Sequence, residues 1–61
     1  MPERYEIRKS QNNLYYYFVL IAPNNEIIVT SEMYTTKTAC ENGIEAVQTY
    51  GSTKNIVDTT I

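Results

Sequence analysis

The chain has no histidine, no tryptophan, one cysteine, two glycines and two prolines. Each scarcity excludes a class of chemistry. Without histidine there is no imidazole to move protons near neutral pH or to ligate a metal. A lone Cys40 cannot close an intramolecular disulfide, and the usual structural zinc sites need more cysteines or histidines. The two glycines, Gly43 and Gly51, fit no phosphate-binding loop. Five basic against seven acidic residues leave a net charge of -2, so no general field draws in phosphate backbones or anionic lipid. The longest apolar run, Leu14 to Ala22, is nine residues. A spanning helix needs about 20. The opening MPERYEIRKS has no apolar core of the kind a signal peptide carries. With one unpaired cysteine, this leads us to expect a cytoplasmic protein without a membrane segment.

What is present is apolar and rich in tyrosine: 43% of the 61 residues are hydrophobic and six are Tyr. That length allows a single domain, residues 1–61. Ordering the chain costs about 90 kcal/mol at ~1.5 kcal/mol per residue. Folding to roughly 4,000 Å² of surface would return about 90 kcal/mol at ~25 cal/mol/Å². A monomer is therefore marginal. With disulfides and structural zinc excluded, self-association is the stabilising device left.

Residues 3–9, ERYEIRK, alternate. Tyr5 and Ile7 face one way and Glu6 and Arg8 the other, the period of a strand. Ser10 to Asn13 reads as a turn. Leu14 to Ala22, LYYYFVLIA, is a strand of β-branched and aromatic residues. Leu14, Tyr16, Phe18 and Leu20 share one face, and Tyr15, Tyr17, Val19 and Ile21 the other. Both faces are apolar, unlike a strand with one side in water. Pro23-Asn24-Asn25 makes a second turn, and Glu26 to Ser31, EIIVTS, a third strand. Short turns between three successive strands imply an antiparallel meander.

A helix follows. Thr36 is the expected N-cap, with Lys37 the first helical residue, although Thr35 and Thr38 also fit capping patterns. Cys40, Gly43, Ile44 and Val47 form one stripe, with Glu41, Glu45 and Gln48 mainly away from it. Gly43 reads as a close-packing position, and Gly51 as a left-handed terminator. Residues 55–59, NIVDT, read as a short last strand. The expected fold is α+β with the order β-β-β-α-β. One helix covers one face of the sheet, so the second face calls for another subunit.

At this point the residues resemble a known family. Phe18 and Leu20, Ala22-Pro23-Asn24-Asn25-Glu26-Ile27-Ile28, Ser31-Glu32-Met33-Tyr34, Lys37, Gly43-Ile44 with Val47, and Asp58-Thr59 together are similar to the YegP-like family of uncharacterised small proteins. The likeness runs from Tyr5 to Thr60. It implies a three-strand, helix, strand unit that occurs as tandem repeats or as single units that pair. A one-unit chain is thereby expected to be a homodimer, closing as a barrel or as two layers. No biochemical function and no catalytic residues come with the resemblance. The chain departs from the family at Val19, where members often carry arginine, and at Asn24-Asn25, where Asn-Gly is usual.

The chemistry-bearing side chains are few. Cys40 lies on the apolar stripe with nothing to activate it and reads as a small hydrophobe. Glu41 and Glu45 read as a solvated pair on one helix face. Glu32, at the entry to the helix region, is expected either to bond nearby amides or to touch a ligand. Asp58 is expected to pair with Lys37, Arg4 or Arg8. Tyrosines on a sheet can stack single-stranded bases, but such sites add a positive groove, and here cations and acids are interspersed. Tyrosine is equally at home in protein interfaces.

The expectation is a small homodimeric domain, structural or protein-binding, with no catalysis, cofactor or bound metal and with room for a further protein partner. The alternative is weak binding of single-stranded nucleic acid or a small ligand through the sheet tyrosines. Tyr15, Tyr17, Val19, Glu32 and Tyr34 are the candidate interface or ligand contacts, with Tyr15 and Tyr17 foremost for the dimer and Tyr16 and Phe18 in their place if the register swaps the faces.

Overall fold

The computed structural model describes residues 2–60. Three strands, β1 (Arg4–Lys9), β2 (Tyr16–Ile21) and β3 (Ile27–Thr30), are followed by one helix, α1 (Lys37–Tyr50). The strands form an antiparallel meander in the order β1-β2-β3.

The turns form where short polar side chains replace missing ladder partners. In the first, the Asn12 Oδ1 accepts from the Leu14 amide at 3.1 Å, while Asn13 takes φ 60°. In the second, the Ala22 and Glu26 ends close over Pro23–Asn25, and Asn25 takes φ 68°. An asparagine accepts the left-handed conformation readily. This is why Asn25 serves where the resembling family carries glycine.

β1 and β2 pair in unbroken register, with Ile7 opposite Phe18 and Glu6 opposite Val19. Between β2 and β3 the register slips. Val29 faces Leu20 and Ile27 faces Ile21, leaving Ile28 as the extra residue of a bulge. Beyond β3, Tyr34 exchanges two backbone hydrogen bonds with Tyr16, at 2.7 and 2.8 Å. That bridge brings the chain back to the sheet and delivers it to the helix.

Thr36 is extended and its hydroxyl accepts from the Ala39 amide at 3.1 Å, as an N-cap should. The helix packs on the face of β1 and β2 that carries Tyr5, Phe18 and Leu20. Cys40 is buried, and Gly43, Ile44 and Val47 are half-buried, so the expected stripe is the packed one. Gly51 differs from expectation. It stays right-handed at φ -69°, its amide still bonded to the Val47 carbonyl at 2.7 Å. A side chain there would crowd that same carbonyl, so the position needs glycine for space and not for handedness.

The buried apolar residues among those described are Phe18, Val19, Ile21 and Cys40. Phe18 is the centre: Tyr5 meets it edge-on at 5.9 Å between ring centroids, and Tyr34 stacks on it at 6.3 Å. Such pairs add to the stability that burial alone supplies.

The expected fourth strand is not formed within this chain. Residues 53–60 take no regular structure and have no ladder partner, with Ile56 91% and Val57 83% exposed. The physical reason lies in β3, which α1 leaves uncovered. A strand docked on β3 in a single copy would still show both of its own faces to water.

Candidate functional site

Two surfaces stand out, and both are built by the meander. The first is the sheet face away from the helix. Alternation along β1 puts Arg4, Glu6 and Arg8 there, opposite Ile21, Val19 and Tyr17. The Glu6 carboxylate takes the Arg4 Nε at 2.9 Å on one oxygen and the Arg8 Nη2 at 2.9 Å on the other. Hydrogen bonds from Arg8 first and Arg4 second hold the Glu6 carboxyl below its usual range. The Glu6 carboxylate in turn holds the Arg8 guanidinium above its ordinary value. Arg4 also reaches the Asn25 Oδ1 at 3.3 Å, linking the row to the second turn.

At one end of this face lies an open hollow of about 460 Å³. Tyr15, Tyr17 and Met33 line it together with the first turn. The structure thus brings Tyr15 and Tyr17 together, while the other three candidate residues serve elsewhere. Val19 is 1% exposed, flanked by Glu6 and Thr30, and has no surface left to offer a partner. Tyr34 is half-buried on Phe18, with its hydroxyl over Gly43. Glu32 is exposed, and its carboxylate bonds no amide among the described residues. The bonding expected of Glu32 is done by its neighbour: the Ser31 hydroxyl accepts from the Phe18 amide and donates to the Glu32 carbonyl, both at 2.8 Å. A hydroxyl both gives and accepts, whereas a carboxylate only accepts.

The second surface is the apolar edge. Ile27, Ile28 and Val29 of β3 are all exposed, and outside the meander, in the C-terminal segment, so are Ile56 and Val57. Asp58, expected to meet a cation, bonds its own neighbour instead. It accepts from the Thr60 amide at 2.9 Å and from the Thr60 hydroxyl, which holds its carboxyl below the usual range.

No cluster of three or more potential metal ligands occurs among the described residues. Burial, and secondarily the Glu41 charge, push the Cys40 thiol up, away from the nucleophilic thiolate. No helix among the described residues is long and apolar enough to cross a membrane.

The profile of a domain of unknown function, DUF1508, matches residues 12–58. The chain belongs to the DUF1508 family. Its DUF1508 relatives include a UPF0339 protein of Shewanella oneidensis, 56% identical over 45 residues, which cover 74% of this chain and 40% of the relative. The UPF0339 protein YegP of Yersinia pestis is 54% identical over 44 residues, covering 72% of this chain and 38% of that protein. YegP of Escherichia coli K12 is 41% identical over 58 residues, 95% of this chain and 52% of that protein. The chain therefore spans about half or less of the length of these curated DUF1508 relatives.

Sequence reasoning missed the pairing of Lys9 with Tyr16, whose ring centroid lies 4.9 Å below the ammonium. The signal was available: these two residues flank the first turn and must face each other once the hairpin register is set.

Proposed function

We propose that this chain is one half of a two-unit assembly, a non-catalytic cytoplasmic homodimer with a structural or protein-binding role. The observation that carries this reading is the exposure of two apolar groups, Ile27, Ile28 and Val29 on β3 and Ile56 and Val57 in the last residues. In this reading residues 55–59 become the fourth strand only when two copies meet, adding to a β3 edge and covering its apolar side chains. The assembled sheets then close as a barrel or as two layers.

Two magnitudes support it. The single chain exposes 5045 Å², against roughly 4,000 Å² for a folded protein of this mass. The excess is on the order of the ~800 Å² that each partner buries in a standard interface. The Cα radius of gyration is 13.2 Å, against about 10.5 Å for a compact chain of this length. The relatives are also long enough to hold a second unit of this size. Nucleic acid is not favoured, because the chain is acidic overall and Arg8, opposite Tyr17, is already bonded to Glu6.

Native mass spectrometry of the untagged protein over a dilution series tests the reading. The expected result is a species near 14 kDa, twice the 7.0 kDa chain, that persists on dilution. A folded 7 kDa monomer at every concentration would overturn it.

A further inference from the structure

The opposite edge of the sheet carries a different feature. The Ser10 amide donates to the Tyr15 carbonyl at 2.9 Å, so the even-numbered residues of β1 turn their backbone groups towards β2. By alternation Tyr5, Ile7 and Lys9 turn their N–H and C=O outwards. The same three side chains lie on the helix side of the sheet. With Arg8, Tyr16 and Lys37 they line a hollow of about 470 Å³ between the β1 edge and the start of α1.

Its charge is anomalous for an acidic chain. Lys9 and Lys37 stand at this hollow with no carboxylate in ion-pair range among the described residues, the pairs present being Arg4–Glu6 and Arg8–Glu6. Lys9 is held over the Tyr16 ring, which limits its freedom before any ligand arrives. Ile7 is 36% exposed beside it. An edge strand normally carries charge or a cover that blocks pairing. Here the charges left without an ion pair, Lys9 and Lys37, are of one sign and sit at one end of an apolar row.

We infer that this edge receives an extended acidic peptide segment of a partner protein, added antiparallel to β1. Main-chain hydrogen bonds to Tyr5, Ile7 and Lys9 supply the pairing, and alternate side chains supply the choice of partner. An acidic residue of the peptide meets Lys9 and Lys37. Apolar residues two and four positions later meet Ile7 and Tyr5. The partner signature is thus acidic-x-apolar-x-apolar, a reading independent of whether β3 carries a dimer.

The test is a titration of the ¹⁵N-labelled full chain with acetyl-Thr-Glu-Thr-Val-Thr-Val-Thr-amide, followed by amide shifts. The matching peptide with Lys for Glu is the control. Saturable shifts centred on the Tyr5, Ile7 and Lys9 amides are expected for the first peptide alone. Affinity should fall about tenfold in a Lys9→Glu/Lys37→Glu variant, since exposed charge pairs are individually weak, and weaken with salt. Ile7→Pro removes an outward N–H that the sheet does not use. It should abolish the shifts, with the β2–β3 amide spectrum showing that the variant is folded. Equal binding of the lysine peptide overturns the inference, as does the absence of shifts. So does finding these β1 amides already protected from exchange by residues 55–60 of a second copy.

Discussion

Gly43 sits where α1 crosses Phe18 and Tyr34. A Cβ added there would collide with the Tyr34 hydroxyl and come within 3.1 Å of Phe18 Cε2. Glycine in a helix costs up to ~1 kcal/mol relative to alanine, yet overpacking a core costs about 1–3 kcal/mol. The steric term wins, so Gly43→Ala is expected to lower the urea midpoint. In a Tyr34→Phe background, where the obstructing oxygen is gone, the loss should be smaller. Equal losses in both backgrounds would show that the Tyr34 hydroxyl is not the obstacle. Glu6 makes a second residue-scale prediction. Its carboxyl is held low in the folded chain, so on acidification the unfolded chain binds the proton first. The contribution of the Arg4–Glu6–Arg8 row is full above the ordinary carboxylate range and lost as pH falls through the lower folded value. Wild type should therefore exceed Glu6→Gln in urea midpoint at pH 7, modestly because the half-buried row is still screened by water. The gap should close towards pH 3, and a gap that widens in acid would rule out this linkage.

At the scale of the element, the helix begins where one side chain replaces a missing carbonyl. Thr36 binds the Ala39 amide, and no acidic residue in the first turn shares that work. Thr36→Ala is expected to cost about 1 kcal/mol in thermal or urea unfolding, whereas Thr36→Ser should recover most of it. Thr38→Ala, inside the first turn and exposed, should change little. If Thr38 proved the costlier position, the start of α1 would be misplaced. The strands differ in the same concrete way. β2 is central, and its buried Phe18, Val19 and Ile21 depend on neighbours on both sides. β3 has a neighbour on one side only and a bulge within it, and its side chains remain in water. Bulges commonly mark edges, where they disturb unwanted pairing.

For the whole molecule, the apolar surface is divided between what α1 reaches and what it does not. The helix spans β1 and β2, leaving β3 and the last residues uncovered. If a second copy covers them, Ile56→Asp with Val57→Asp should shift the protein to monomer in sedimentation. The melting temperature of the wild type, but not of this variant, should then rise with concentration. Retention of a full dimer by the variant would remove residues 55–59 from the interface.

Much of the architecture was legible in local pattern. The alternation in ERYEIRK, the β-branched and aromatic run after it, the asparagines at both turns and Thr36 ahead of the Cys40–Val47 stripe each specify an element through short-range sterics or hydrogen bonding. The apolar character of both β2 faces was equally plain. Other features depended on distant contacts. Gly51 keeps a right-handed backbone because the Val47 carbonyl is still within reach. Glu32 contributes no side-chain bond because Ser31 is the residue that meets the Phe18 amide. Val19, alternating with the tyrosines, looked available to a partner but is enclosed by its cross-strand neighbours. The segment NIVDT has the composition of a strand yet remains unpaired, since a ladder requires a second edge in register and composition cannot supply one. Sequence by itself therefore determined where the chain turns, extends and coils, because those preferences act over a few residues. Only the tertiary structure decided which apolar surfaces are covered, because burial depends on what folding brings alongside.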